Sequence, residues 1–280
     1  MSVRNALLVA GLSLALLVCP FGADAHIKNE ETQYPDIDSS PARFDIVLLA
    51  AAGIVPETPL FEPDRAFRRK DLASWLALGK GIAEDGENPD VEALARVAVA
   101  AGLIESLEGD ASLADIDRLF FYGQTNSEGL TAMPTKGEAA RYLASRLTDE
   151  IMSRRGLTEG PTGIVTNVAA QPTDDGDSVY ILTIGHAAYP MYAHGRVARG
   201  PTDLLAWEGR AIARSFVRTI NGRTMWTYLE AAPLEARQAQ STAPTQVEET
   251  ASGNSTLLYG LIAAVVLLAA GLFFRGRRAG

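Results

Sequence analysis

Three histidines are the side chains with the clearest capacity for metal chemistry: His26, His186 and His194. Cleavage of an N-terminal segment after Ala25, argued below, makes His26 the first residue of the mature chain. An N-terminal amine and its imidazole chelate copper together, and the other two imidazoles suit the same metal. The alternative is that these scattered histidines are ordinary surface or turn residues.

Two acidic clusters resemble the start of a calcium-binding loop: Glu84-Asp85-Gly86-Glu87 and Asp174-Asp175-Gly176-Asp177. Neither continues to the glutamate that an EF-hand needs at its twelfth position, so solvated turns are favoured. The sequence contains no His-Glu-x-x-His pattern, no Gly-x-Ser-x-Gly elbow and no phosphate-binding glycine loop. We therefore expect a protein that is not an enzyme, with no catalytic residue, cofactor or resident metal.

The elements that position these side chains begin with a helical part. From Tyr34 to about Arg155, apolar residues recur at helical spacing and glycines follow the predicted helices. The sequence Ala51-Ala52-Gly53-Ile54-Val55 has a counterpart in Ala100-Ala101-Gly102-Leu103-Ile104. This similarity predicts two helical repeats, over about 34–82 and 88–150. An insertion in the second repeat is expected to hold a further helix, from Ser112 to Phe121.

From Gly160 to Ala232, β-branched and aromatic residues predominate, and Asn221-Gly222 is a strong hairpin signal. We expect five or six short strands over 160–232, forming a small antiparallel barrel or sandwich. The polar segment over 233–255 predicts a flexible linker. The expected fold class is therefore α+β, with a helical module, a small β domain and one C-terminal transmembrane helix.

In the helical part, a series of short motifs resembles the S-layer homology (SLH) family. The first unit contains Tyr34-Pro35-Asp36-Ile37, then Gly53-Ile54-Val55, then Phe61-Glu62-Pro63-Asp64. The family's Thr-Arg-Ala-Glu motif is represented by Arg68-Arg69-Lys70-Asp71 and by Thr135-Lys136-Gly137-Glu138. The second unit lacks the Phe-x-Pro-Asp turn. Family members commonly use three units around one axis, and two are identified from the sequence.

The resemblance implies that the module over 34–155 binds a cell-wall polymer through the basic residue of each motif. It gives Arg69 and Lys136 as the candidate polymer contacts. A guanidinium forms paired charge-assisted hydrogen bonds to a carboxylate, and lysine is a weaker partner of this kind. Thr135 and Glu138 also have the spacing of a capping box, in which both side chains satisfy free backbone N–H groups without any ligand.

Both ends of the chain resemble membrane-targeting signals. Arg4, an apolar run and Ala23-Asp24-Ala25 predict a signal peptide over 1–25. Residues 256–274 carry no charge and predict a transmembrane helix, and the basic tail over 275–280 predicts a cytoplasmic end. A helix removed by a sortase-like enzyme is the alternative. The expected localisation is the cell membrane, single-pass, with the N-terminal domains extracytoplasmic.

Composition narrows the classes of partner. The formal net charge is −9 and the basic residues cluster only in the C-terminal tail, which argues against nucleic acid. The single cysteine, Cys19, leaves with the signal peptide, so no disulfide is expected. We expect a non-enzymatic envelope protein that links the membrane to the cell wall or S-layer. The alternatives are an accessory or assembly subunit that binds another envelope protein, and a copper-binding envelope protein. The oligomeric state stays open.

Overall fold

The computed structural model describes residues 26–84, 86, 89–122, 130–147, 149–172, 178–220 and 222–233. The predicted signal peptide, the transmembrane helix at 256–274, the basic tail and the linker beyond 233 lie outside these residues. The helices within them are α1 (Arg43–Ala51), α2 (Arg69–Gly79), α3 (Val91–Ala100), α4 (Leu113–Phe121), α5 (Lys136–Ala144) and α6 (Asp149–Arg154). The strands are β1 (Leu157–Glu159), β2 (Gly163–Pro172), β3 (Ser178–Ile184), β4 (Ala187–Ala198), β5 (Ala211–Ile220) and β6 (Arg223–Ala231), and a short 3-10 helix spans Leu204–Trp207.

The helical core surrounds α2, which packs against α3 while α1 packs against α5. Every residue of α2 from Asp71 to Gly79 is buried, as expected for a helix that is apolar on nearly all sides. Trp75 is fully buried, and its ring lies 4.8 Å from Phe67 and 6.1 Å from Phe61 between centroids. These aromatic contacts connect α2 to the turn that precedes it.

The helices α1 and α3 end in the same way. Gly53 and Gly102 follow them with φ of +62° and +69°, a left-handed conformation that glycine adopts without a Cβ penalty. The N–H of Ile54 then donates to the carbonyl of Leu49, at 2.9 Å, as expected for a Schellman-type helix end. The predicted glycine stops thus coincide with the observed helix ends.

The strands form one six-stranded sheet in the order β1-β5-β2-β3-β4-β6, with an additional pairing of β5 and β6. The β5–β6 hairpin joins Ile220 to Arg223 across the predicted Asn221-Gly222 turn. The β4–β6 pair is parallel, whereas the other pairs are antiparallel.

The predicted architecture is wrong in its strand arrangement, because β4 and β6 pair in parallel and the sheet is therefore mixed, not antiparallel. The parallel pair arises because the chain passes from β4 through the 3-10 helix and β5 before β6 returns beside β4. Within the described ranges, no helix is long and apolar enough to cross a membrane. What the structure supports is an α+β chain with helices first and a mixed sheet second.

The helical and strand parts share a buried core. Phe216 of β5 and Tyr228 of β6 belong to the same apolar cluster as the helices. The first helix packs against β4, and the guanidinium of Arg199, just after β4, lies 3.8 Å from the ring centroid of Phe44. A second cluster lies within the sheet around Trp207 and Trp226.

Candidate functional site

The starts of α2, α4 and α5 lie next to one another because their preceding segments are hydrogen-bonded together. The N–H of Phe67 donates to the carbonyl of Pro134 at 3.0 Å, which connects the α2 start to the α5 start. The carbonyl of Phe67 accepts from the N–H of Ala111 at 2.9 Å, which connects it to the α4 start. One short segment before α2 therefore holds both neighbouring helix starts.

Two of these three helices begin with a reciprocal capping box. At α5, Thr135 Oγ1 accepts from the Glu138 N–H at 3.2 Å, and Glu138 Oε2 accepts from the Thr135 N–H at 2.8 Å. This is the arrangement that their spacing predicts. At α4, Ser112 and Asp115 make the same pair of bonds, at 3.2 and 3.0 Å. Both boxes satisfy N–H groups that a helix start leaves free.

The start of α2 is capped on one side only. Asp71 Oδ2 accepts from the Arg68 N–H at 3.0 Å. The return bond from the helix is missing because a guanidinium has no acceptor atom that Arg68 could offer. The Asp71 carboxylate also accepts hydrogen bonds from a charged side chain, Arg65.

Asp71 is the centre of a charge cluster beneath the helix starts. Its side chain is 4% exposed, and the Arg65 guanidinium holds both of its oxygens. Arg65 Nε also donates to Glu62 Oε2 at 3.0 Å. The bonds from Asp71 raise the pKa of Arg65 above its ordinary value, against the opposing effect of burial.

Lys136 completes this cluster from α5. Its Nζ lies 4.0 Å from Asp71 Oδ1 and 4.5 Å from the ring centroid of Phe61, and the residue is only 6% exposed. Burial lowers the pKa of Lys136 despite the nearby carboxylate of Asp71. The Lys136 ammonium thus joins the second motif to the first unit. Its contacts with Asp71 and Phe61 give it a structural role that needs no ligand.

The Tyr34–Ile37 and Phe61–Asp64 segments also contact each other. Asp36 accepts from the backbone N–H groups of Phe61 and Glu62, at 2.9 and 2.6 Å. Glu62 has φ of +60°, a conformation uncommon for a residue with a Cβ, and the two bonds from Asp36 stabilise this turn. The Tyr34–Ile37 and Phe61–Asp64 motifs therefore form one local unit.

Arg69 differs from the other cations near the helix starts. It is half-buried, and its side chain forms no hydrogen bond or ion pair with any residue that the structure describes. Its charge acts on Asp115, in the first turn of α4. Burial would raise the pKa of Asp115, but bonds from Ser112 and Arg118 lower it, and the charge of Arg69 adds to that effect. The structure thus separates the two candidate contacts, since Lys136 is engaged internally and Arg69 is not.

The three histidines give no metal centre. His26, His186 and His194 are all exposed. Across the described ranges, no group of three or more His, Cys, Asp or Glu side chains could hold a metal ion. The acidic cluster at 174–177 and parts of the cluster at 84–87 lie outside those ranges.

Several residues of the site were not predicted from the sequence. The Ser112–Asp115 box has the Ser-x-x-Asp spacing of a helix start, and that pattern is a signal that finds the third helix of the group. Arg65 matched no motif identified in the sequence. Asp36 belongs to the quoted Tyr34–Ile37 motif, but its bonds to Phe61 and Glu62 join segments that only the fold brings together.

Comparisons with protein-family models, with curated proteins and with solved structures give no match for this chain.

Proposed function

We propose that the chain is a non-enzymatic protein of the cell envelope whose helical part binds a cell-wall polymer or the S-layer, with Arg69 as the principal contact. The observation that supports this is the contrast at the helix starts. Arg65 and Lys136 are held by Asp71, whereas the Arg69 side chain forms no hydrogen bond or ion pair with a described residue. An unpaired guanidinium is suited to the carboxylate of an acidic sugar, to which it can donate two parallel hydrogen bonds.

Lys136 takes a supporting role in this proposal. Its contacts with Phe61 and Asp71 hold the α5 start against the first unit. A polymer that reached the helix starts would therefore meet Arg69 directly, while Lys136 would maintain the surface that presents it. The proposal needs the extracytoplasmic location expected from the sequences of the two termini.

A second candidate is an accessory subunit that binds another envelope protein. Leu60 and Met133, next to Phe61 and Pro134, are 51% and 65% exposed. Exposed apolar side chains beside the charge cluster favour a protein partner over a sugar, because protein interfaces bury such groups.

The two candidates are separated by sedimentation of the full chain, purified in mild detergent, with cell-wall sacculi. One sample of sacculi keeps its attached polymer and a matched sample is stripped of it. Polymer binding predicts co-sedimentation with the first sample and loss with the second. Failure to sediment with either, together with a stoichiometric protein partner in a pull-down, would select the accessory subunit.

A further inference from the structure

A second candidate site lies far along the chain from the SLH-like motifs, in a cleft of about 560 Å³ between the helices and the sheet. The helical side includes the turns after α1 and α2 and the end of α6, and the sheet side includes β4, β5 and β6. The polar and aromatic side chains that line it include Arg154, Arg155, Arg196, Arg218, Tyr192 and His194. Neither Arg69 nor Lys136 is among its lining residues.

The cleft is cationic in a chain whose formal net charge is −9. Among the described residues that line it are four arginines and two glutamates, Glu57 and Glu84. Glu57 is already used: it is bonded to Lys28 and lies 3.1 Å from Arg196 Nη2. Burial would raise the pKa of Glu57, but these two cations lower it, so the carboxylate stays ionised within its own ion pairs.

Arg218 of β5 carries the argument, because its side chain forms no hydrogen bond or ion pair with a described residue. Its Nε is buried without an acceptor, and the Nε of Arg196 is buried in the same state. Leaving a buried donor unpaired is unfavourable, more so when the group is charged. The Nε–H groups of two arginines in one cleft thus have no acceptor among the described residues.

The arginines beside Arg218 are held in place. Arg196 Nη1 donates to the carbonyl of His194 at 2.6 Å, in addition to the Glu57 contact. Arg155 donates from Nη1 to the carbonyl of Leu78 at 2.9 Å and from Nε to that of Ala52 at 3.3 Å. Guanidiniums fixed in this way lose little conformational freedom when an anion enters.

We propose that this cleft binds an oxyanion, a carboxylate or phosphate group of a small polar ligand, with Arg218 as its principal contact. Arg196 contributes positive charge from its fixed position. The ring of Tyr192, which packs edge-on against His194 at 5.7 Å between centroids, provides an apolar surface beside the anion. The oxyanion supplies an acceptor to the Arg218 side chain, for which no described residue provides one.

The test is calorimetric titration of the full chain, in mild detergent at constant ionic strength, with inorganic phosphate and separately with D-glucuronate. Binding of phosphate alone identifies a phosphate ligand, and binding of glucuronate alone identifies a carboxylate ligand. Arg218→Gln should weaken the binding by about tenfold or more, the loss expected for one charge-assisted hydrogen bond. Arg96→Gln is the matched control, since its side chain is 63% exposed on α3, and it does not line the cleft.

The midpoint of thermal unfolding, measured without ligand, shows whether the variant is folded. Because Arg218 forms no hydrogen bond or ion pair with a described residue, Arg218→Gln should unfold at the same temperature as the wild type or above it. Absence of binding by both anions, or equal weakening by Arg218→Gln and Arg96→Gln, would overturn the proposal. The polymer-binding proposal at Arg69 is unaffected by either result.

Discussion

Both carboxylate oxygens of Asp71 are held by the guanidinium of Arg65, with Nη1 3.0 Å from Oδ2 and Nη2 2.8 Å from Oδ1. The same carboxylate accepts from the Arg68 N–H and lies 4.0 Å from the Lys136 ammonium. One buried anion thus connects the turn before α2, the start of α2 and the start of α5.

Replacement of that anion should strongly destabilise the protein. Asp71→Ala leaves two cations and one backbone N–H without their acceptor, and breaking a buried pair in this way costs about 3 kcal/mol. Urea unfolding followed by circular dichroism measures the loss. Asp38→Ala removes an exposed carboxylate from the same helical part and should change the free energy of unfolding by less than about 0.5 kcal/mol. Equal losses in the two variants would show that the cluster is not stabilising.

The buried ammonium predicts a pH dependence. Burial holds the pKa of Lys136 in the folded chain below its ordinary value of 10.5. Between the folded and the unfolded pKa, the unfolded chain therefore binds more protons than the folded chain. The contribution of Lys136 therefore makes the free energy of unfolding rise with pH through that alkaline interval. Lys136→Met removes this contribution. The free energy of unfolding of Lys136→Met relative to wild type should be highest near neutral pH and should decline toward pH 10.5. A difference that stays constant with pH would show that the pKa of Lys136 is not lowered by folding.

The two helix-terminating glycines predict unequal costs of substitution. A Cβ at Gly53 would lie 2.6 Å from Arg155 Nη2, whereas a Cβ at Gly102 would meet no atom within 4 Å. Both positions have positive φ, so Gly102→Ala should cost about 1 kcal/mol of backbone strain alone. Gly53→Ala should cost more.

The excess is tested in an Arg155→Ala background by a double-mutant cycle of thermal unfolding. Because the clash requires the Arg155 side chain, the Gly53→Ala penalty should fall there toward that of Gly102→Ala. If Gly53→Ala still costs more than Gly102→Ala by the same amount in that background, the clash with Arg155 is not the cause.

The helix starts should respond to truncation according to their caps. Ser112→Ala and Thr135→Ala each remove an acceptor from a capping box and should cost about 1 kcal/mol. Arg68→Ala serves as the comparison, because this exposed side chain at the α2 start offers no acceptor. It should change stability by less than about 0.5 kcal/mol in the same urea titration. A loss at Arg68 as large as at Thr135 would contradict this account of the caps.

Local features of the fold were predictable from the sequence, and long-range ones were not. The stops at Gly53 and Gly102 and the hairpin at Asn221-Gly222 depend on backbone preferences of adjacent residues, so the pattern alone indicates them. The parallel pairing of β4 with β6 depends on where a distant strand returns. The five central residues of β6, Met225 to Leu229, are all buried, so the alternation that would assign its faces is absent.

The candidate site shows the same division. The Thr135–Glu138 box is visible in the sequence because its two residues are three positions apart. The burial of Lys136 is not visible, because it requires Phe61 and Asp71 to come from another unit of the chain. A shared motif position therefore gave Arg69 and Lys136 the same expected role, while their surroundings in the fold differ.

The central claim is that Arg69 contacts the cell-wall polymer, and the dissociation constant of the full chain for polymer-bearing sacculi tests it most directly. Arg69→Glu is compared with Arg96→Glu, which makes the same charge reversal on the exposed face of α3. The account predicts that Arg96→Glu binds like the wild type and that Arg69→Glu binds about tenfold more weakly or worse. Equal affinity of the two variants would contradict it.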